Sequence, residues 1–201
     1  ISILLPLKEN FSPSYPGAVS LFVNDTLKLS SFKKKTIIFG NTDFKDKFKL
    51  KYKNINLTKS LFQSQNKKYV EEFIKIEKER KSDLIELHNR PIYLAYLIKK
   101  LKKTAYIMYF HNDPLTMLGS KSISDRIFLL KHCHKIIFNS KWSKKRFLEG
   151  VSSYDSSEKL VVINQSTKKN KINFNKKKKI ITFVGKLNKS KGYDLFGKAI
   201  I

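Results

Sequence analysis

The residues best suited to chemistry stand directly after short apolar runs. His88-Asn89-Arg90 follows Leu84–Leu87, and His111-Asn112-Asp113 follows Ala105–Phe110. Asn139-Ser140 follows Lys135–Phe138, Gly40-Asn41 follows Thr36–Phe39, and Asn10-Phe-Ser-Pro-Ser-Tyr-Pro-Gly17 lies beyond Ile1–Leu5. If these runs are strands of one parallel sheet, their polar successors gather at its carboxyl edge, where open α/β sheets bind ligands. A rim of amide, imidazole and guanidinium groups suits a polyhydroxylated ligand. Asn41 and Ser140 are explained as well by turns and helix caps. His88 and His111, each placed at a strand end, are the candidates for acid–base or hydrogen-bonding work. Glu86, inside its apolar run, is expected to pair with a neighbouring cation.

Two further segments concern anions. Gly17, just before a helical pattern, would let backbone N–H groups approach an anion at the positive end of that helix. In Phe183-Val-Gly-Lys-Leu-Asn-Lys-Ser-Lys-Gly-Tyr-Asp194 an apolar run enters Gly185, and Lys186 and Lys191 flank the turn into the next helix. Two cations on such a turn can hold a diphosphate and neutralise charge developing on it as it departs. His132-Cys133-His134 offers no second ligand pair at metal-binding spacing, so no metal site is expected.

The elements that must position these residues are legible in the apolar periodicity. Strands are expected at Ile1–Leu5, Thr36–Phe39, Ile55–Leu57, Leu84–Leu87, Ala105–Phe110, Lys135–Phe138, Val161–Ile163 and Ile180–Val184. Several are apolar on successive residues, as strands buried on both faces are. Helices are expected at Ala18–Leu29, Gln65–Arg80, Pro91–Lys102, Ile123–Lys131 and Trp142–Glu149. Ser122 with Asp125 reads as a capping box, Ser140 as a cap, and Gly150 as a left-handed stop. Alternation of this kind predicts an α/β fold, a doubly wound parallel sheet that is Rossmann-like. The stretch from Thr167 to Lys179 is polar, charged and without period. The expected organisation is therefore residues 1–166 as a first Rossmann-like domain, 167–179 as linker, and 180–201 as the start of a second domain.

Composition narrows the function classes. The chain has 201 residues, 41% hydrophobic and 12% aromatic, which is globular rather than disordered. The net charge is +26, yet of the 42 basic residues Arg supplies only 80, 90, 126 and 146. A surface built to grip phosphates leans on the planar fork of Arg. Lysines here are spread along the chain, while the aromatics fall on core positions rather than free to stack on bases. A basic nucleic-acid-binding α/β protein is thus the alternative and not the preferred reading. The single cysteine, Cys133, forms no internal disulfide, compatible with a cytoplasmic protein. The basic helix Pro91–Lys103 carries an apolar face able to pack on the sheet or to touch an anionic membrane surface peripherally. No apolar run is long enough to span a bilayer. The first run is already under way at Ile1 and the last pattern stops at Ile201, so both ends are expected to be interrupted.

Several segments, in order, resemble the retaining glycosyltransferases of family 4, which have two Rossmann-like domains facing each other across a cleft. They are Phe11-Ser-Pro-Ser-Tyr-Pro-Gly-Ala-Val-Ser20, Asp83-Leu-Ile-Glu-Leu-His-Asn-Arg-Pro91, Tyr109-Phe-His-Asn-Asp-Pro114, Ile136-Ile-Phe-Asn-Ser-Lys-Trp-Ser143, Val161-Val-Ile-Asn164 and Phe183-Val-Gly-Lys-Leu-Asn-Lys-Ser-Lys-Gly192. The resemblance implies hexosyl transfer from a nucleotide-sugar donor to a hydroxyl of a glycan or glycolipid acceptor, with retention and without a metal or other cofactor. It implies that Lys186 and Lys191 bind the donor diphosphate, that His111 is the catalytic-site residue beside the donor sugar, and that Gly17, His88, Asn89, Arg90 and Asn112 contact substrate. Pro16 stands where the family often has a second glycine, and Lys186 where Arg is usual. The family's paired-glutamate motif would fall beyond residue 201, so the chain alone is expected to be inactive.

Overall fold

Seven short strands, all parallel, form one sheet in the order β3-β2-β1-β4-β5-β6-β7. The computed structural model describes residues 1–57, 64–154, 157–166, 180–185 and 189–200. The strands are β1 (Ser2–Leu4), β2 (Ile37–Gly40), β3 (Tyr52–Asn54), β4 (Leu84–His88), β5 (Ala105–Phe110), β6 (Lys135–Phe138) and β7 (Leu160–Val162). The helices are α1 (Ala18–Leu29), α2 (Gln65–Arg80), α3 (Ile92–Leu97), α4 (Ile123–His132), α5 (Lys141–Phe147) and α6 (Tyr193–Ala199). The doubly wound α/β sheet expected from the sequence is the fold observed.

The period of two along each strand divides the apolar residues between two faces. Leu4, Phe39, Ile85, Leu87, Met108, Phe110, Ile136 and Phe138 face a layer made by α2 to α5, including Phe73, Leu94, Leu129 and Phe147. Ile3, Leu5 and Ile38 face the other way, against Val19, Val23 and Leu27 of α1. The chain runs from β1 to β2 and β3 on one side, then returns to place β4 on the other side of β1. The gap between the carboxyl ends of β1 and β4 is therefore the topological switch point. Two buried tyrosines shape the exit from β1 beside it. The Tyr69 hydroxyl donates to the Leu5 carbonyl at 3.0 Å, and the Leu7 N–H donates to the Tyr93 hydroxyl at 3.1 Å.

Helix ends follow their sequence signals. Ser64 caps α2 through Lys67 N–H, and Ser122 and Asp125 form a reciprocal capping box on α4. Ser140 caps α5. Four expectations shift. The third strand lies at Tyr52–Asn54 rather than Ile55–Leu57, because an edge strand needs only one apolar face, and buried Ile55 follows the ladder, donating to the Gly40 carbonyl at 2.7 Å. The last strand of the sheet starts one residue early, at Leu160. Helix α3 stops at Leu97, ahead of a lysine-rich tail, as the Tyr106 hydroxyl donates to the Leu101 carbonyl at 2.9 Å and draws the chain toward β5. Its apolar face is spent in the core, with Tyr93, Leu94 and Leu97 fully buried, so that face does not lie free for a membrane. Finally, residues 180–184 join no ladder among the described residues, where a strand was expected.

The chain divides into two compact units, residues 1–165 and 166–201. Within the second, a short 3-10 turn at Lys189–Lys191 leads through Gly192, in the left-handed region at φ 72°, into α6. Phe183 packs on Phe196 with ring centroids 5.4 Å apart.

Candidate functional site

Because side chains alternate across a strand, Glu86 and His88 of β4 share the face that carries α1, as do Tyr109 at the end of β5 and His111 just beyond it. The parallel register sets His88 opposite Tyr109. The rings of His88, Tyr109 and His111 lie 5.1 to 5.2 Å apart with near-parallel planes. Phe22 of α1 meets this group edge-on, 4.9 Å from the His111 ring.

A continuous hydrogen-bonded line runs through the cluster. Glu86 Oε1 lies 2.6 Å from His88 Nε2, His88 Nδ1 lies 2.8 Å from His111 Nε2, and His111 Nδ1 lies 2.8 Å from the Gln165 side-chain amide. Glu86, expected to pair with a neighbouring cation, meets the His88 imidazole. His88 is fully buried. Burial, with His88 beside it, pushes the His111 imidazole down to about 3, so the ring is neutral near neutral pH. Burial also holds the Tyr109 phenol above its ordinary range, so it stays protonated.

The loops after β4 and β5 are sewn together by an asparagine in an uncommon conformation. Asn89 has φ 50°, the left-handed region that Asn tolerates better than most residues. From there its N–H donates to the Tyr109 carbonyl at 2.9 Å and its side-chain oxygen accepts from the His111 N–H at 2.7 Å. Asn139 completes the rim, donating to the His111 carbonyl at 2.7 Å. His111 is therefore fixed on three sides: by Asn89, by Asn139 and by His88.

The other expected positions fare differently. Arg90 is half-buried and donates to the Asn89 carbonyl at 2.9 Å, so it braces the turn from one side of the cluster. Asn112 is exposed on the rim loop. Asn41 and Ser140 serve the fold, as a turn contact to the Ile55 carbonyl and as a helix cap. At Gly17 the anion next to the α1 N-terminus is the protein's own. Glu9 Oε1 accepts the Ser20 N–H at 2.9 Å, and a Cβ at position 17 would collide with that carboxylate. Close backbone approach does occur at Gly17, but to Glu9. Lys191 is exposed in the second unit, while Lys186 lies outside the described residues. Cys133 is buried, with its thiol pushed up to about 12 by burial. Among the described residues no group of three or more His, Cys, Asp or Glu side chains could hold a metal ion.

Elsewhere, a cavity of about 740 Å³ is lined by Lys141, Lys144, Lys145, Leu148, Glu149 and Val162, and it contains neither rim histidine. Near it, Arg146 bridges Asp113 at 3.2 Å and Glu149 at 2.6 Å, tying the loop after β5 to α5. The members that sequence reasoning did not select are Glu86, Tyr109, Phe22, Gln165 and Glu9. For Glu86 a signal existed, since Glu and His two apart on a strand share one face. Gln165 and Glu9 act across 54 and 11 positions, and their neighbours in sequence give no sign of it.

No family model and no curated protein matches the sequence. Solved structures do match. HepE of Anabaena in complex with UDP and glucose superposes with a TM-score of 0.55 at 16% identity, covering 82% of this chain and 44% of that one. HepE in complex with UDP gives a TM-score of 0.52 at 18% identity with the same coverage. The chain thus spans less than half the length of these neighbours. At such identities the likeness is one of fold, and the fold is the Rossmann-like α/β sheet these structures share with residues of this chain.

Proposed function

We propose that this chain is part of a glycosyltransferase that moves a sugar from a nucleotide-sugar donor to an acceptor hydroxyl. The observation that carries the reading is the Glu86–His88–His111 line at the carboxyl edge of a Rossmann-like sheet, held in place by Asn89 and Asn139. Neutral imidazole and amide groups of this kind bind hydroxyls by hydrogen bonding without demanding charge. The fold likeness to structures holding UDP and glucose supports the same reading.

In finer detail, the reading is a retaining hexosyltransferase of family 4, resting on the six sequence segments that resemble that family. His111 lies beside the donor sugar, and His88, Asn89, Arg90 and Asn112 lie toward the acceptor. Lys186 and Lys191 neutralise the departing diphosphate, a role that needs no metal ion or other cofactor. Residues 1–166 form the acceptor-side domain, residues 167–179 the linker, and residue 180 onward the start of the donor side. The acceptor is a glycan or glycolipid, the setting is cytoplasmic, and any membrane contact is peripheral. Among the described residues no helix is long and apolar enough to cross a membrane. Gly17 bears on the site through Glu9, whose carboxylate any incoming anion would have to displace.

The test is nucleotide release from a panel of uridine- and guanosine-diphosphate sugars by the protein that contains this chain, with Lys191→Ala beside it. Turnover with one donor, reduced ~100-fold or more in the variant, is expected for loss of one electrostatic contact to a leaving group. Absence of turnover with every donor, combined with tight binding to DNA or RNA, would replace this reading with the nucleic-acid one.

A further inference from the structure

The hydrogen-bonded line through the site has a direction, and the direction is set by its carboxylate end. A carboxylate only accepts, so at 2.6 Å from Glu86 Oε1 the His88 Nε2 atom carries the proton. Above the histidine range an imidazole is neutral and has one N–H, so there His88 Nδ1 accepts. Among the described residues the group placed to donate to it is His111 Nε2, at 2.8 Å. His111 has then used its own N–H, and its Nδ1 is left as a lone pair. The Gln165 side-chain amide meets that atom at 2.8 Å with its NH2 group, the polarity this chain of assignments demands. With both rings neutral every member is satisfied, and reversing the bond between them would set a His88 Nε2 lone pair against the Glu86 carboxylate at a fully buried ring, which is costly.

We propose that Glu86 and His88 are positioning residues that lock His111 into the tautomer with the proton on Nε2, so that the site offers Nδ1 as an acceptor to whatever replaces Gln165. The consequence concerns what the site takes. A group seated on Nδ1 must bring an O–H or N–H of its own. A neutral sugar hydroxyl does so, whereas a carboxylate or a phosphate oxygen brings only lone pairs and is repelled. Gln165 is the last residue of the first unit and acts as the stand-in for that hydroxyl. In this line Glu86 acts on the ligand through His88.

This inference rests on the transferase reading only in naming a sugar hydroxyl as the incoming group. The tautomer itself is read without any sugar, so the two can fail separately. The measurement is a long-range proton–nitrogen correlation spectrum of the chain labelled with 15N-histidine, recorded above the histidine range, with the four rings assigned by single substitutions. The expected spectrum has His111 Nδ1 pyridine-like and Nε2 protonated, the same pattern in His88, and both unchanged in Gln165→Ala. In Glu86→Gln the side-chain amide can donate or accept, so the His111 nitrogen shifts are expected to move toward each other as both tautomers become populated. A wild-type His111 carrying its proton on Nδ1 would overturn the proposal whatever the variants do. So would a tautomer that changes in Gln165→Ala, or one indifferent to Glu86→Gln in a chain whose backbone amide spectrum remains native.

Discussion

At Gly17 the backbone is extended, with φ −76° and ψ 156°, so its own dihedrals do not ask for glycine. What asks for it is Glu9, whose carboxylate fills the space a Cβ would take while accepting the Ser20 N–H. Gly17→Ala is therefore expected to cost about 1 kcal/mol, the worth of a lost helix-end contact. Most of that cost should vanish in the background Glu9→Ala, and denaturant titration of the four-member cycle reads the coupling. At Asn89 the left-handed conformation and the accepted His111 N–H act together. Asn89→Ala, losing both, is expected to cost about 2 kcal/mol, and Asn89→Gly, losing only the hydrogen bond, about half that. His111 makes stability depend on pH. Its folded value, about 3, lies below the ordinary 6.5, so between those values the unfolded chain binds a proton that the folded chain refuses. Stability is thus fully present above the unfolded value and is lost as pH falls toward 3. The urea midpoint should drop between about pH 7 and about pH 5, and His111→Gln should flatten that drop. The rim residues could be picked from the sequence because each comes directly after an apolar run. The Glu9 contact could not, because nothing local to position 17 announces a carboxylate eight residues upstream.

The elements that sequence periodicity located best are those with strong stripes and caps. Helices α1 and α2 stand where expected, and Ser122 with Asp125 caps α4 reciprocally. The elements that moved are those whose ends are set by tertiary partners. Strand β3 is an edge strand of sequence Tyr-Lys-Asn, recognisable only once its neighbour Gly40 is in place. A strand is defined by its ladder, so the apolar run at 180–184 is not one without a partner among the described residues. One tie between elements was invisible in the sequence. Arg126 of α4 is 2% exposed and donates to the carbonyls of Ser120, Lys121 and Glu149, joining α4 to the residues after α5. Replacement by Leu leaves those carbonyls without their donor, and Arg126→Leu is expected to lower stability by about 2–4 kcal/mol in thermal or urea unfolding.

Across the whole molecule the net charge of +26 would by itself suggest a nucleic-acid partner. Phe39, Phe73, Phe110, Phe138 and Phe147 are buried in the core and closed to bases, while Tyr15, Phe32 and Trp142 are exposed. Any binding to duplex DNA is expected to be indifferent to sequence and to fall by orders of magnitude as salt rises, which a filter-binding series reads. Salt-resistant, sequence-selective binding would count for the rival function. The doubly wound architecture and the polar carboxyl edge were both readable from alternating apolar runs and from the polar residues that succeed them. The line from Glu86 to Gln165 was not, since it depends on register and on a contact spanning 54 positions. In the proposed function His111 sits at the sugar-transfer site. The most direct measurement of that placement is steady-state nucleotide release from a sugar nucleotide by the protein containing this chain, comparing wild type with His111→Ala. Loss of ~100-fold or more in kcat, with folding retained, is the expected result. Unchanged turnover in the variant would contradict it.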